Sequence, residues 1–197
     1  MSVMALRMPQ ALRRYARDRR GVSAVEFALL APLMIGLYLG CAEISDGVAA
    51  DRKVSLIAAT LANLTSSCSN SNANAGGCAN NTISPTEMNN ILDASSAIIL
   101  PYDKSKLTMT VSCLNIDANK VVTVRWTAVR NGGVGGTATL PSALAVPSSQ
   151  LLFAQVSYAY TPTVGYTITG TLTLSDHMYM APRTQAPAYP DNTKTCT

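Results

Sequence analysis

Charge is scarce in this chain of 197 residues: Asp, Glu, Lys and Arg make up 13% of it, and mean hydropathy is positive. Histidine is scarcer, with His177 standing alone, and none of the five cysteines forms a Cys-x-x-Cys pair. A zinc frame therefore lacks its usual ligand spacing. No glycine-rich loop leads into a helix, because the glycines between Gly132 and Gly136 join two strand-like segments, and a phosphate cradle is excluded with it. Ser175, Asp176 and His177 supply the residue types of a hydrolase triad. Three consecutive residues of a strand face alternate sides and cannot converge on one substrate. The sequence thus predicts no catalytic residue, no cofactor and no metal. Internal repeats are absent, and only one apolar run is long enough to cross a bilayer.

That run follows a concentration of positive charge. Arg7, Arg13, Arg14, Arg17, Arg19 and Arg20 precede Gly21, opposed only by Asp18. Taking these from the chain's 15 basic and 11 acidic residues leaves nine and ten, so the remainder from Val22 onward carries −1 while the whole carries +4. The basic balance belongs to the leader, residues 1–21. Beside an apolar run it fits retention on the cytoplasmic side of a membrane better than binding to nucleic acid, for which no recognition element accompanies it. Residues 22–42 would span roughly 31 Å as a helix, close to the thickness of a bilayer's hydrocarbon core. The expected topology is single-pass, with the amino end inside and everything after about Glu43 outside the inner membrane.

Within the run, Glu26 is an acid placed where hydrocarbon disfavours it, so it asks for a partner. Pro32 should kink or loosen the helix, and Gly36 and Gly40 form a Gly-x-x-x-Gly pair that permits close helix approach, although isolated glycines in an apolar segment would look the same. Three kinds of processing fit the junction. Leu37-Tyr38-Leu39-Gly40-Cys41 resembles the box cut before lipid attachment to a cysteine, with Tyr38 a poor fit to it. An uncleaved signal anchor is the second. The third follows from Gly21 with Glu26-Phe27 five and six residues later, in a basic-then-apolar context. This constellation resembles the cleavage region of type IV prepilins, most closely the tight-adherence (Tad) branch.

The resemblance continues through Ser23-Ala24-Val25-Glu26-Phe27-Ala28-Leu29-Leu30-Ala31-Pro32, which is similar to the opening of TadE-like and TadG-like minor pilins. It implies that a prepilin peptidase cuts after Gly21, that Val22 becomes the mature amino terminus, and that Glu26 and Phe27 register the helix against other pilins. A freed ammonium on one subunit could pair with the Glu26 carboxylate of another. The major pilin of such systems is a very short helical peptide, so a body of this size implies a minor pilin or assembly subunit, acting without catalysis. Its partners would be the inner membrane, the prepilin peptidase and other pilus components. The rival is a periplasmic binding module, lipid-anchored or simply tethered.

Beyond the anchor, Ile44, Val48, Val54, Ile57, Leu61 and Leu64 recur at helical spacing and predict an amphipathic continuation over 43–66. The remainder, 67–197, opens with a small-polar loop. Ser84-Pro85-Thr86-Glu87 is a capping box with proline at the first helical position, heading a helix with Met88, Ile91, Leu92, Ser95, Ile98 and Ile99 on one face and a stop before Pro101. Four alternating segments follow. Their apolar sets are Leu107 to Cys113; Val122, Val124, Trp126 and Ala128; Leu152 to Tyr160; and Tyr166, Ile168, Leu172 and Leu174. Trp126, Tyr158, Tyr160 and Tyr166 fit sheet core better than a glycan-binding face. The fold class is therefore α+β: a long N-terminal helix, a second helix and an antiparallel sheet of about four strands, a plan similar to that of pilin-like proteins. Cys68, Cys78, Cys113 and Cys196 form an even set suited to an oxidising compartment. A local Cys68–Cys78 bridge across a loop that cannot order itself would leave Cys113 for Cys196.

Overall fold

The first helix sets the plan of the molecule, a computed structural model that describes residues 20–67, 82–132, 140–162, 170–183, 186–189 and 195–196. Most of the arginine leader, Cys68 and Cys78, Gly133 to Gly136, and Tyr166 with Ile168 lie outside the described residues. Helix α1 spans Arg20–Ser66 and continues through Pro32. At about 1.5 Å per residue it is roughly 70 Å long, more than twice what a bilayer core needs.

Its two halves meet different surroundings. From Gly21 to Ala49 the side chains are exposed or half-buried, with Glu43 the exception at 4% exposure. From Ala50 a buried stripe begins: Ala50, Val54, Ile57, Ala58, Leu61, Ala62 and Thr65. These positions recur every three or four residues, as one face of a helix must. The expected amphipathic face is corrected here, because Ile44 and Val48 remain 53% and 46% exposed. The buried face runs through the smaller residues Gly47, Ala50, Ala58 and Ala62, which let the helix axis approach the sheet. A Cβ added at Gly47 would lie 3.8 Å from Tyr160 Cε1, so at that point nothing larger than a methyl separates helix from strand.

Helix α2, Pro85–Ser96, begins as its sequence dictates. The Ser84 amide donates to Glu87 Oε2 at 2.8 Å and the Glu87 amide donates to Ser84 Oγ at 3.2 Å, satisfying two amides that a helix start otherwise leaves without partners. Met88, Leu92, Ser95 and Ser96 are buried, and a 3-10 turn over Ala97–Ile99 carries the chain to Leu100. The helix stops where Pro101 requires.

The strands are β1, Leu107–Ile116; β2, Val122–Arg130; β3, Ser149–Tyr160; and β4, Leu172–Met180. Among the described residues they form one antiparallel sheet in the order β2-β1-β3-β4. Leu107, Met109, Val111 and Cys113 of β1 face α1 and α2 together with Leu152, Ala154, Val156 and Tyr158 of β3. In β2 the uniform alternation is broken. Cys113 pairs with Trp126 and Leu114 with Val124, so Arg125 is an extra residue. One added residue reverses every side chain beyond it. Trp126 and Ala128 therefore join the core while Val124 sits 43% exposed on the other face. The fourth strand also differs from expectation: Leu174 is half-buried and Leu172 43% exposed, and the strand runs on through His177 to Met180. As an outer strand of the sheet, β4 has a neighbour on one side only, so its alternation is weakly paid in burial.

The carboxyl-terminal segment closes the core on the β2 side. Cys113 and Cys196 form a disulfide with Cα atoms 6.0 Å apart. Trp126 Nε1 donates to the Pro187 carbonyl at 2.9 Å, and its ring lies 5.4 Å from that of Tyr189. Ala188 accepts from the Ile83 amide at 2.9 Å, which ties the tail to the entry of α2.

Candidate functional site

The sequence directs attention to the amino-terminal part of α1, and the structure leaves that part bare. Val22, Val25, Phe27, Leu29, Leu30, Leu33, Met34, Ile35, Leu37 and Tyr38 are all more than half exposed. A contiguous apolar surface of this size on a protein is an interaction surface, with lipid or with other helices. Among the described residues α1 is one helix long and apolar enough to cross a membrane. Glu26 and Phe27 are both on this exposed part, and no described residue bonds to the Glu26 carboxylate. Gly21 and Gly36 have open space where a Cβ would stand. Cys41 is free and exposed.

Where the bare half gives way to the packed half, a cluster of tyrosines gathers. Tyr102 lies 6.2 Å, centroid to centroid, from both Tyr158 and Tyr160, and its hydroxyl donates to the Asp46 carbonyl at 3.1 Å. Lys53 stands 5.7 Å over the Tyr102 ring and donates to the carbonyls of Ile98 and Leu100. Burial raises the pKa of Tyr102, Tyr158 and Tyr160, and the nearby Asp46 carboxylate raises Tyr102 and Tyr160 further. Asp103 is shifted down, chiefly because the Ser105 amide donates to its carboxylate at 2.9 Å at the start of a 3-10 turn over Lys104–Lys106. The sequence reading placed two of these tyrosines in core but missed the cluster. Its members come from α1, the 100–103 loop and β3, and nothing local links such distant positions. Spacing did hold one usable signal: Glu43, Gly47 and Ala50 are three and four residues apart, like the buried stripe beyond them.

The hydrolase-like triplet is dispersed. Asp176 pairs across the sheet with Val156 and His177 with Gln155, which puts them on opposite faces of β4. His177 instead packs 5.9 Å from Phe153 and 5.5 Å from Tyr179. Trp126, Tyr158 and Tyr160 are buried in the core, as sheet residues would be.

A family described as TadE-like protein matches residues 21–62. The similarity is confined to that stretch, less than a quarter of the chain. The TadE-like segment occupies α1 almost from end to end, so it includes the bare half and most of the stripe that packs against the sheet. Neither a curated protein nor a solved structure matches the chain.

Proposed function

We propose that this chain is a non-enzymatic minor pilin or assembly subunit of a Tad-type pilus. The supporting observation is the coincidence of the TadE-like segment with a helix whose amino-terminal half is apolar and uncovered while its other half carries a folded domain. Residues 22–42 would cross the inner membrane, with the leader 1–21 cytoplasmic, and the stretch 43–66 would continue outside it into the α+β domain of 67–197. Helix-to-helix packing would then be the mechanism. After a prepilin peptidase cuts between Gly21 and Val22, the new Val22 ammonium of one subunit can meet the Glu26 carboxylate of another, and Phe27 adds apolar contact beside it. An unpaired carboxylate in hydrocarbon costs a few kcal/mol, so a subunit seated in register is favoured over one that is not.

Intact-mass measurement of the membrane-extracted protein tests the reading. A mature amino terminus at Val22, abolished by Gly21→Leu, is the expected result. Retention of Met1, or a lipid on Cys41, would instead favour the tethered binding module. In the same strain Glu26→Ala should leave membrane insertion intact and reduce surface piliation; unchanged piliation would remove the registering role of Glu26.

A further inference from the structure

The two outer strands of the sheet are not alike. Natural sheet edges are kept from pairing by a bulge, by basic side chains or by a covering segment. β2 has all three: Arg125 is an extra residue in the ladder, its Nε donates to the Thr195 carbonyl at 3.4 Å, and the carboxyl-terminal segment packs on Trp126 through Pro187 and Tyr189. Arg130, at the far end of the strand, is held by Asp93 at 2.6 Å beside a cavity of about 200 Å³. Among the described residues β4 has none of these devices. It pairs with β3 from Leu172 to Met180 without a register shift and contains no Lys, Arg or Pro. Alternate amides and carbonyls of an outer strand point away from the sheet, so β4 offers a row of them to any strand laid beside it.

Helix α1 forms a wall along this edge. At one end Gly47 meets Tyr160, which pairs with Leu172, and at the other Ser66 Oγ donates to Met180 Sδ at 3.0 Å. From Gly47 to Ser66 the helix rises roughly 28 Å and from Leu172 to Met180 the strand rises roughly 26 Å, so the two run side by side in the same direction. Ile44, Val48, Asp51, Ala58, Ala62 and Ser66 share by helical spacing the flank of α1 that Ser66 turns toward β4. Toward the carboxyl end this flank is closed, with Ala58, Ala62 and Ser66 buried. Toward the anchor it is open: Ile44 is 53% exposed, Val48 46% and Leu172 of the strand 43%. Two carboxylates border the slot. Asp51 is on the helix flank, and Asp176, which pairs with Val156, is on the side of the sheet that α1 covers. No Lys or Arg among the described residues bonds to either.

We propose that the slot between α1 and β4 receives an extended segment of another protein as a fifth strand, antiparallel to β4. Its apolar side chains would cover Ile44, Val48 and Leu172, and a Lys or Arg among them would stand beside Asp176 and Asp51. Main-chain hydrogen bonds to β4 supply affinity in such an arrangement, and the alternate side chains select the partner. A second copy of this chain does not fit. Its β2 edge is protected, and two β4 strands in the fully overlapping antiparallel register set Asp176 opposite Asp176, a destabilising pair. Because α1 runs along β4 in the same direction, that pairing would also send two anchors opposite ways, which a single bilayer cannot accommodate if residues 22–42 cross it. The occupant is therefore a different chain, extended, apolar at alternate positions and basic at its centre.

The test uses the full chain in detergent micelles and a synthetic peptide, acetyl-Val-Thr-Val-Thr-Lys-Thr-Val-Thr-Val-amide, whose valines and lysine share one face. Hydrogen exchange followed by NMR reads β4 directly. In the free protein alternate amides of Leu172–Met180 should exchange fast and the others, paired to β3, slowly; the peptide should protect the fast set. Fluorescence anisotropy should show the lysine peptide binding several-fold tighter than its counterpart with a central glutamate. Asp176→Lys should remove that preference with circular dichroism unchanged, and Asp51→Lys, on the exposed helix flank, gives the same readout should the first variant not fold. Methylating the peptide's backbone nitrogens at its odd or at its even residues should abolish binding in one series and spare it in the other, since only one set of amides faces β4. Uniformly slow exchange along β4 in the free protein means that the edge is already paired, by this chain or by a second copy, and overturns the proposal. Equal binding of the lysine and glutamate peptides, or equal tolerance of both methylated series, overturns it as well. None of these readouts depends on Gly21 or Glu26, so loss of the slot leaves the pilin reading standing.

Discussion

Tyr102 connects three parts of the chain through one side chain: its ring packs on Tyr158 and Tyr160 of β3, receives Lys53 of α1 over its face, and directs its hydroxyl to the Asp46 carbonyl. Burial first and Asp46 second raise its pKa above 10.0. The sign of the consequence follows. Below pH 10 the phenol is protonated in folded and unfolded chains alike, and it contributes no pH dependence. Above pH 10 the unfolded chain ionises first, so stability falls until the folded pKa is passed. Tyr102→Phe should cost about 1 kcal/mol at neutral pH, the net worth of one hydrogen bond. It should also flatten the loss of stability above pH 10 relative to the parent, though not abolish it, because Tyr158, Tyr160 and Tyr179 are shifted in the same direction. Urea titrations at pH 8 and pH 10.5 read both effects. A mutant whose decline matches the parent's would show that Tyr102 ionises freely in the folded protein.

Helix α1 is a single element with two jobs, and equal substitutions should separate them. Leu61 is fully buried beneath the sheet, whereas Leu33 is 60% exposed on the bare half. Leu61→Ala should cost about 2–5 kcal/mol, as core truncations do, and Leu33→Ala should leave the stability of the domain within about 0.5 kcal/mol of the parent. Chemical denaturation in detergent, followed by Trp126 fluorescence, compares them; equal losses would mean that the bare half also supports the fold. What the sequence made legible at this scale was whatever is written locally. The Ser84–Glu87 capping box, the stop at Pro101 and the alternation of β1 and β3 each depend on neighbours within a few positions. Gly21, Glu26 and Phe27 were legible for the same reason, as a short motif at a junction of charge and hydrophobicity. Other features depend on partners far along the chain. The buried face passes through Gly47 and Ala50 instead of Ile44 and Val48, and at Gly47 it meets Tyr160, more than a hundred residues away. The extra residue Arg125 leaves no trace in an alternation count, because Val124 is as apolar as a core residue. The cavity beside Arg130 takes residues from α2, the 104–106 turn, β1 and β2, which only the fold assembles.

The molecule as a whole divides within α1 rather than at its end, and this decides where the chain can be cut. The half of α1 from Ala50 to Thr65 covers β3 and β4, and it supplies Val54, Ile57 and Leu61, each fully buried. At roughly 1.5–3 kcal/mol apiece these three contribute about 5–9 kcal/mol, comparable to the entire 5–15 kcal/mol by which a domain of this kind is stable. The stretch before Glu43 contributes no buried side chain among the described residues. Truncation to 43–197 should therefore give a monomer that melts cooperatively in aqueous buffer and retains the Cys113–Cys196 bridge, while truncation to 67–197 should aggregate, since Ala154, Val156 and Leu152 would face water. Size-exclusion chromatography and thermal melts under oxidising conditions distinguish the two products. Had the TadE-like segment served only as an anchor, both truncations would fold. A folded 43–197 and an unfolded 67–197 would show that the segment is shared between anchor and core, so that any pull on the bare half is transmitted through one continuous helix directly into the sheet.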